Sequence, residues 1–202
     1  MTKANWVEKA IINNFIWAAV QRKHIVPVWR SSFELKPDAL SSEVGCGRGA
    51  GSIIIFEEFK PSSVDAFDVD ENMVEKAKKL LEGEYDGKID VSVGDVTKMA
   101  AADATYDAVF DFFSMHHVED WYKGISEISR VLKPGGYFAY AEIYAEEVTK
   151  NIVLRNILRH PAKNRFGRSD LVRALAENNL RIMERKANLG SYGVIGVARK
   201  SS

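Results

Sequence analysis

The chain has 202 residues, enough for one domain with a sizeable core, and its 28 Lys+Arg balance its 28 Asp+Glu, which argues against a protein built mainly to hold nucleic acid. Its one cysteine, Cys46, excludes an internal disulfide and a cysteine-built zinc site. No apolar run is long enough for a signal segment or membrane span, so a reducing, cytoplasmic setting is expected.

Residues 1–35 read as an N-terminal helical segment. Trp6, Ala10, Asn13, Trp17 and Val20 have roughly helical spacing, with Ile12, Phe15, Ile16 and Ala19 beside them. A stretch apolar on more than one face suits either a lid over an active site or a helix packed on a sheet or partner. Leu40–Val44 is the first predicted strand, although Ser41 and Ser42 stand where a buried strand would carry Val or Leu. Gly45-Cys46-Gly47-Arg48-Gly49 follows, and then a helix holding Ile53 to Phe56. Val64–Asp68 is the second strand. Asp70 is the N-cap of a helix whose apolar face is Met73, Val74, Ala77, Leu80 and Leu81.

Ile89–Val93 is the third strand, ending at Gly94-Asp95, and Tyr106–Phe113 the fourth. A helix with Ile125, Ile128, Val131 and Leu132 on its buried side is stopped by Pro134-Gly135-Gly136, which turns into a fifth strand, Tyr137–Ile143. Residues 146–168 form an insertion carrying Arg155, Arg159, His160, Lys163, Arg165 and Arg168. They suit an acidic group on a substrate or a solvated face. Ser169 caps a last helix with Leu171, Ala174 and Leu175. Arg181–Asn188 and Tyr192–Ala198 are strands whose short link permits only an antiparallel hairpin. The expectation is one α/β domain over 1–202. Its sheet is doubly wound, mostly parallel and seven-stranded, with a C-terminal antiparallel hairpin.

The glycine turn is the strongest local signal. Glycines permit a sharp turn and close ligand approach, and the helix behind them starts with free N–H groups. Alone, Gly-x-Gly spacing also fits a dinucleotide fingerprint through Gly45, Gly47 and Ala50. Glu43, Asp68 and Asp95 shift the balance. Each stands at a strand end on the edge where open α/β sheets bind ligands, and three carboxylates there would repel a pyrophosphate. They suit a cationic ligand that also has an amino group, a ribose and an adenine.

Glu43-Val44-Gly45-Cys46-Gly47-Arg48-Gly49 resembles motif I of class I S-adenosylmethionine-dependent methyltransferases, which have a Rossmann-like fold. Ala66 to Met73 resembles the second motif, with Asp68 as the ribose-binding acid. Val93 to Val96 resembles the third, with Asp95 facing the adenine amino group. Tyr106 to Phe110 with His116 to Asp120, and Arg130 to Gly136, are similar to the family's fourth strand and the turn before its fifth. The resemblance is to the methyltransferase type 11 group, and it extends to short, mostly prokaryotic members of unassigned substrate around Asn13-Asn14, Val20-Gln21-Arg22, His160-Pro161 and Arg165-Phe166.

The resemblance implies S-adenosyl-L-methionine as cofactor. It would be held by Glu43, Gly45, Cys46, Gly47, Gly49, Asp68, Val69, Asp95, Val96, Asp111, Phe112 and His117. The implied reaction is in-line methyl transfer to a small-molecule acceptor, with no metal and no nucleic-acid partner. His116 is the candidate base, and a shaping role in the cofactor pocket is its alternative; Glu142 and Tyr144 could touch the acceptor. The competing readings are a nicotinamide-dependent oxidoreductase, a non-catalytic binding protein of the same fold, and methylation of RNA or protein.

Overall fold

The structure is a computed structural model, and it describes residues 15–150, 165–183 and 187–202. Two helices come first, α1 (Phe15–His24) and α2 (Val26–Arg30). Strands β1 (Leu40–Val44), β2 (Ser63–Asp68), β3 (Ile89–Val93), β4 (Tyr106–Phe112) and β5 (Leu132–Ile143) then alternate with helices α3 (Ala50–Phe59), α4 (Glu71–Leu81) and α5 (Trp121–Val131). A single 3-10 turn, Met115–His117, lies between β4 and α5. The chain ends with α6 (Ala145–Lys150), α7 (Arg168–Glu177), β6 (Leu180–Ile182), β7 (Ala187–Asn188) and β8 (Gly193–Lys200).

The sheet order is β3-β2-β1-β4-β5-β8-β6, with β7 also paired to β8. Strands β1 to β5 run parallel, and β8 runs antiparallel to both β5 and β6. The order reverses between β1 and β4, and this is the point where parallel α/β sheets leave a crevice at their carboxyl edge.

Period-2 alternation sorts the strands into two cores. Phe110 and Phe112 of β4, Ala139 and Ala141 of β5 and Ile195 and Val197 of β8 face one side, where they pack with α2, α3 and α4. Val109, Phe138, Tyr140, Val194 and Ala198 face the other, against α5 and α7. On α5, Ile125 and Ile128 are fully buried, each contributing roughly 1.5–3 kcal/mol. Asp120 caps that helix by accepting the Lys123 N–H, and Asp70 caps α4 by accepting from Asn72.

Several details differ from the sequence reading. Helix α5 stops before Pro134 is reached, because Leu132 is already extended and enters β5. The Pro134–Gly136 segment instead sits inside β5 as an irregularity: Tyr106 pairs with Leu132, but Ala108 pairs with Tyr137. The cap of α7 is Gly167, whose N–H is accepted by the Asp170 carboxylate 3.0 Å away, and Ser169 already lies within the first turn. The strand expected over Arg181–Asn188 is two pieces, with Ile182 paired to Ala198 and Ala187 to Ile195, so the register shifts by two residues. Ser42 is buried in β1 because its Oγ–H is used: it donates to Asp65 O at 2.8 Å. Ser41 is equally buried, and its Oγ has no hydrogen-bond partner among the described residues.

The expected N-terminal stripe lies partly outside the described residues, which begin at Phe15. Arg155, Arg159, His160 and Lys163 also lie outside them. Among the described residues, no helix is long and apolar enough to cross a membrane.

Candidate active site

The glycine turn is built by left-handed backbone. Gly45, Gly47 and Gly49 have φ of 67°, 55° and 88°, a region that side chains rarely tolerate. The turn carries the chain from β1 into α3. Two bonds tie it to β2: Cys46 N–H donates to Phe67 O, and Gly47 N–H donates to Asp68 Oδ2 at 2.9 Å. The other oxygen of Asp68 accepts the Asp70 N–H at 2.8 Å. The second-strand acid therefore lies directly against the glycine turn.

Glu43 is 2% exposed and lies behind the turn. The Ser52 hydroxyl of α3 donates to its Oε2. Gly51 makes room for it: a Cβ there would collide with Glu43 Oε1 and press on the Phe112 ring. Burial pushes the Glu43 carboxyl up to about 8, and the negative charges of Asp68 and Asp111 push in the same direction, against the Ser52 bond. A carboxyl poised in this way gains from a cation placed beside it. Cys46 is buried and its thiol is raised by burial, which suits a wall position and opposes a nucleophile.

A cleft of about 450 Å³ opens over this turn. Glu43, Gly45, Cys46, Gly47, Gly51 and Phe112 line it from the sheet side, and Ala18, Gln21 and Arg22 of α1 close it from above. Arg22 is tied to Glu57 and Glu58 of α3, which holds α1 against the cleft. Trp29 and Phe33, further along the N-terminal segment, are sheet core: Trp29 is fully buried against Phe110 and Phe112, and its Nε1–H donates to Tyr140 O.

The third-strand acid, Asp95, is half-buried and holds its own loop, accepting from Thr97 N–H and Oγ1–H at 2.8 and 2.9 Å. Val69 follows Asp68 and is half-exposed, whereas Val96 is buried in the second core beside Met115. At the end of β4, Phe113 has φ of 61°, a strained value for an aromatic residue, and its ring meets Trp17 at 5.6 Å. That kink sends residues 114–117 over the sheet edge. His116 and His117 are both buried there, their rings 4.1 Å apart.

Two acids lie deeper than the sequence reading placed them. Asp111, expected to contact the cofactor, is fully buried and accepts from Ser114 N–H and Oγ–H. Glu142, expected to point at the acceptor, is 1% exposed and holds Met115, His116 and Ile143. Sequence reasoning missed Gly51, Ser52 and the placement of Gln21. Small residues in the first helical turn, opposite the acid that precedes the glycines, were the available signal for the first two.

A family model described as a methyltransferase domain matches residues 42–140. The demethylmenaquinone methyltransferase of Leptospira interrogans is 31% identical over 133 residues, covering 65% of this chain and 53% of the relative. The phthiotriol/phenolphthiotriol dimycocerosates methyltransferase of Mycobacterium tuberculosis is 30% identical over 103 residues, covering 50% of this chain and 36% of the relative. The chain thus spans about half or less of these curated relatives.

Among solved structures, a chain from the complex between the Haloferax volcanii Trm112 methyltransferase activator and a methyltransferase superposes with a TM-score of 0.78 at 16% identity, over 98% of this chain and 95% of that one. Geranyl diphosphate C-methyltransferase from Streptomyces coelicolor A3(2), solved with Mg2+, geranyl diphosphate and S-adenosyl-L-homocysteine, superposes with a TM-score of 0.75 at 16% identity, over 96% and 85%. Strand order, the left-handed glycine turn joined to the β2 acid, and the match over the domain core agree, and the chain belongs to the class I S-adenosylmethionine-dependent methyltransferases.

Proposed function

We propose that this chain transfers a methyl group from S-adenosylmethionine to a small-molecule acceptor. The observation that carries the reading is the cradle around Glu43: a buried acid behind three left-handed glycines, with Gly51 leaving space and Asp68 clamped to Gly47. Such a cradle fits a ligand that has a cationic end and a ribose diol. Glu43 and the turn would hold the methionine end, Asp68 and Val69 the ribose, and Asp95 and Val96 the adenine. Gly49, Cys46, Phe112 and His117 would wall the pocket. When bound, the cofactor supplies an electrophilic sulfonium methyl group.

The residues of the chain then have to align the acceptor and exclude water. α1 lies where a lid over the cleft would act, with Gln21 buried and Arg22 latched. His116 is the proposed proton acceptor. The relatives named for demethylmenaquinone and phthiotriol support a small organic acceptor over nucleic acid, as does the zero net charge. A buried acid beside the glycine turn disfavours the nicotinamide reading, because a pyrophosphate would meet Glu43 and Asp68. Calorimetric titration with S-adenosylhomocysteine and, separately, NADH tests both. Binding of the first alone is expected, and no binding of it at millimolar concentration overturns the proposal.

A further inference from the structure

Gln21 of α1 is 4% exposed and lines the cleft over the glycine turn. Its carboxamide offers an N–H donor pair and a carbonyl acceptor. Among the described residues that carboxamide has no hydrogen-bond partner. A buried amide left unpaired destabilises a fold, so its place in the fold calls for a reason. The cleft supplies one.

Ala18, Gln21 and Arg22 are three and four residues apart, so they share one face of α1, and all three line the cleft. The Arg22 guanidinium is already engaged by Glu57 and Glu58 of α3, which fixes that face over the cleft. Gln21 is thus held where it is by a neighbour whose own charge is satisfied.

The lining tells which end of a ligand meets the carboxamide. Asp68, Val69, Asp95 and Val96, assigned above to the ribose and the adenine, are not among the residues that line this cleft, whereas Glu43, Gly45, Cys46 and Gly47 are. The part of the cofactor under α1 is therefore its methionine end, which carries an ammonium and a carboxylate. Glu43 attracts the first and repels the second. The carboxylate must turn away from the sheet, toward α1, and there it needs an N–H donor. Gln21 provides that donor, and a hydrogen bond to a carboxylate is among the stronger kinds. Arg48 and Lys76 also line the cleft, but from exposed positions where water and salt screen their charges.

We propose that Gln21 is a specificity-determining residue of cofactor binding: its NH2 donates to the carboxylate of the ligand's α-amino acid end, across the cleft from Glu43, and the Arg22 latch positions it. The site then selects a zwitterionic end, one pole read by the sheet and the other by α1. Helix α1 precedes residues 42–140, so this contact comes from outside the matched domain. The inference rests on the methyl-transfer reading of the same cleft.

Calorimetric titration with S-adenosylmethionine and with its decarboxylated form, which keeps the sulfonium and the ammonium, tests it on the parent chain, Gln21→Met and Gln21→Ala. The parent should prefer the carboxylated ligand by about tenfold or more. Gln21→Met keeps the length of the side chain and removes its polar atoms. It should reduce that preference about tenfold, leave affinity for the decarboxylated ligand nearly unchanged, and melt at or above the parent temperature. Gln21→Ala should show the same loss of preference, which keeps the test standing where one variant folds poorly. Equal affinity of the parent for the two ligands overturns the proposal, as does a parent-like preference in the variants or an equal loss toward both ligands. A Gln21→Met chain that melts well below the parent and keeps the preference would show that the carboxamide serves the fold, and overturns it too. No binding of either ligand by the parent overturns the methyl-transfer reading and this inference with it; the other adverse results sink only this one.

Discussion

At the β1 end of the carboxyl edge, Glu43 has a single hydroxyl partner among the described residues, Ser52, and lines the cleft over the glycine turn. At the β4–β5 end, Glu142 collects several N–H donors and a histidine. Both acids are buried and both are raised, to about 8 and about 7. Burial therefore does not separate them; their partners do. A poorly solvated acid facing a cleft stores affinity for an incoming cation. An acid saturated with donors stores geometry, and holds its neighbours in place.

The largest effect expected from breaking this contrast is at Gly51. Gly51→Ala drives a methyl group into Glu43 Oε1 and against Phe112. It should cost about 1–3 kcal/mol of stability and lower affinity for S-adenosylhomocysteine about a hundredfold. Denaturant melts and calorimetry measure the two, and parent-like affinity would mean that the cleft over Glu43 is not the cofactor site.

Asp68 and Asp65 lie on the same strand and sharpen the comparison. Asp68→Ala should weaken cofactor binding by about 1.5–3 kcal/mol, as its carboxylate holds Gly47 and is placed for a ribose diol. Asp65→Ala should leave binding nearly intact and cost stability instead, because its Oδ2 accepts the Tyr106 hydroxyl at 2.8 Å. Equal losses of affinity in the two variants would show that the second motif is misaligned.

A smaller effect concerns protons at Glu43. Its folded-state value of about 8 lies above the unfolded value of about 4.3, so the native state binds more protons between the two. Its contribution to stability is fully present below the unfolded value and is lost as pH rises through about 8. A cation bound beside it should reverse that, and binding of S-adenosylmethionine near pH 7 should release up to about one proton. Calorimetry in buffers of different ionisation heat reads this directly. Heats independent of buffer would place the cationic end of the ligand elsewhere.

The smallest expected change lies in the strand under the turn. Ser41→Ala removes a buried hydroxyl without a partner among the described residues, and should raise stability by about 1 kcal/mol. Ser42→Ala should lower it, since that hydroxyl bonds Asp65 O. Opposite signs in thermal melts are the expected result, and a loss in both variants would show that Ser41 has a partner.

The succession of strands and helices along the chain, the mostly parallel sheet and the antiparallel end were legible because each rests on local chemistry: apolar runs, glycine turns, and a link too short for a parallel crossover; the reversal at β1/β4 was not. Glu43, Asp68 and Asp95 were legible as well, since a parallel sheet carries all its strand ends to one edge. Boundaries were less so. The Pro134–Gly136 segment reads as a stop and turn from its composition, yet it became an irregularity within β5 because β4 was already there to pair with it. The long strand Arg181–Asn188 lost its continuity in the same way, to the register of β8.

By itself, then, the sequence determined the fold class, the glycine turn and which acids reach the carboxyl edge, because those depend on periodicity and on residues within a few positions of one another. Only the tertiary structure decided which way each acid faces. His116 and Glu142 are 26 positions apart, and their union depends on β4 and β5 pairing side by side. The space for Glu43 likewise depends on Gly51 and Ser52 of the next helix packing over β1. A carboxyl's charge state is set by the donors that surround it, and those donors come from distant parts of the chain.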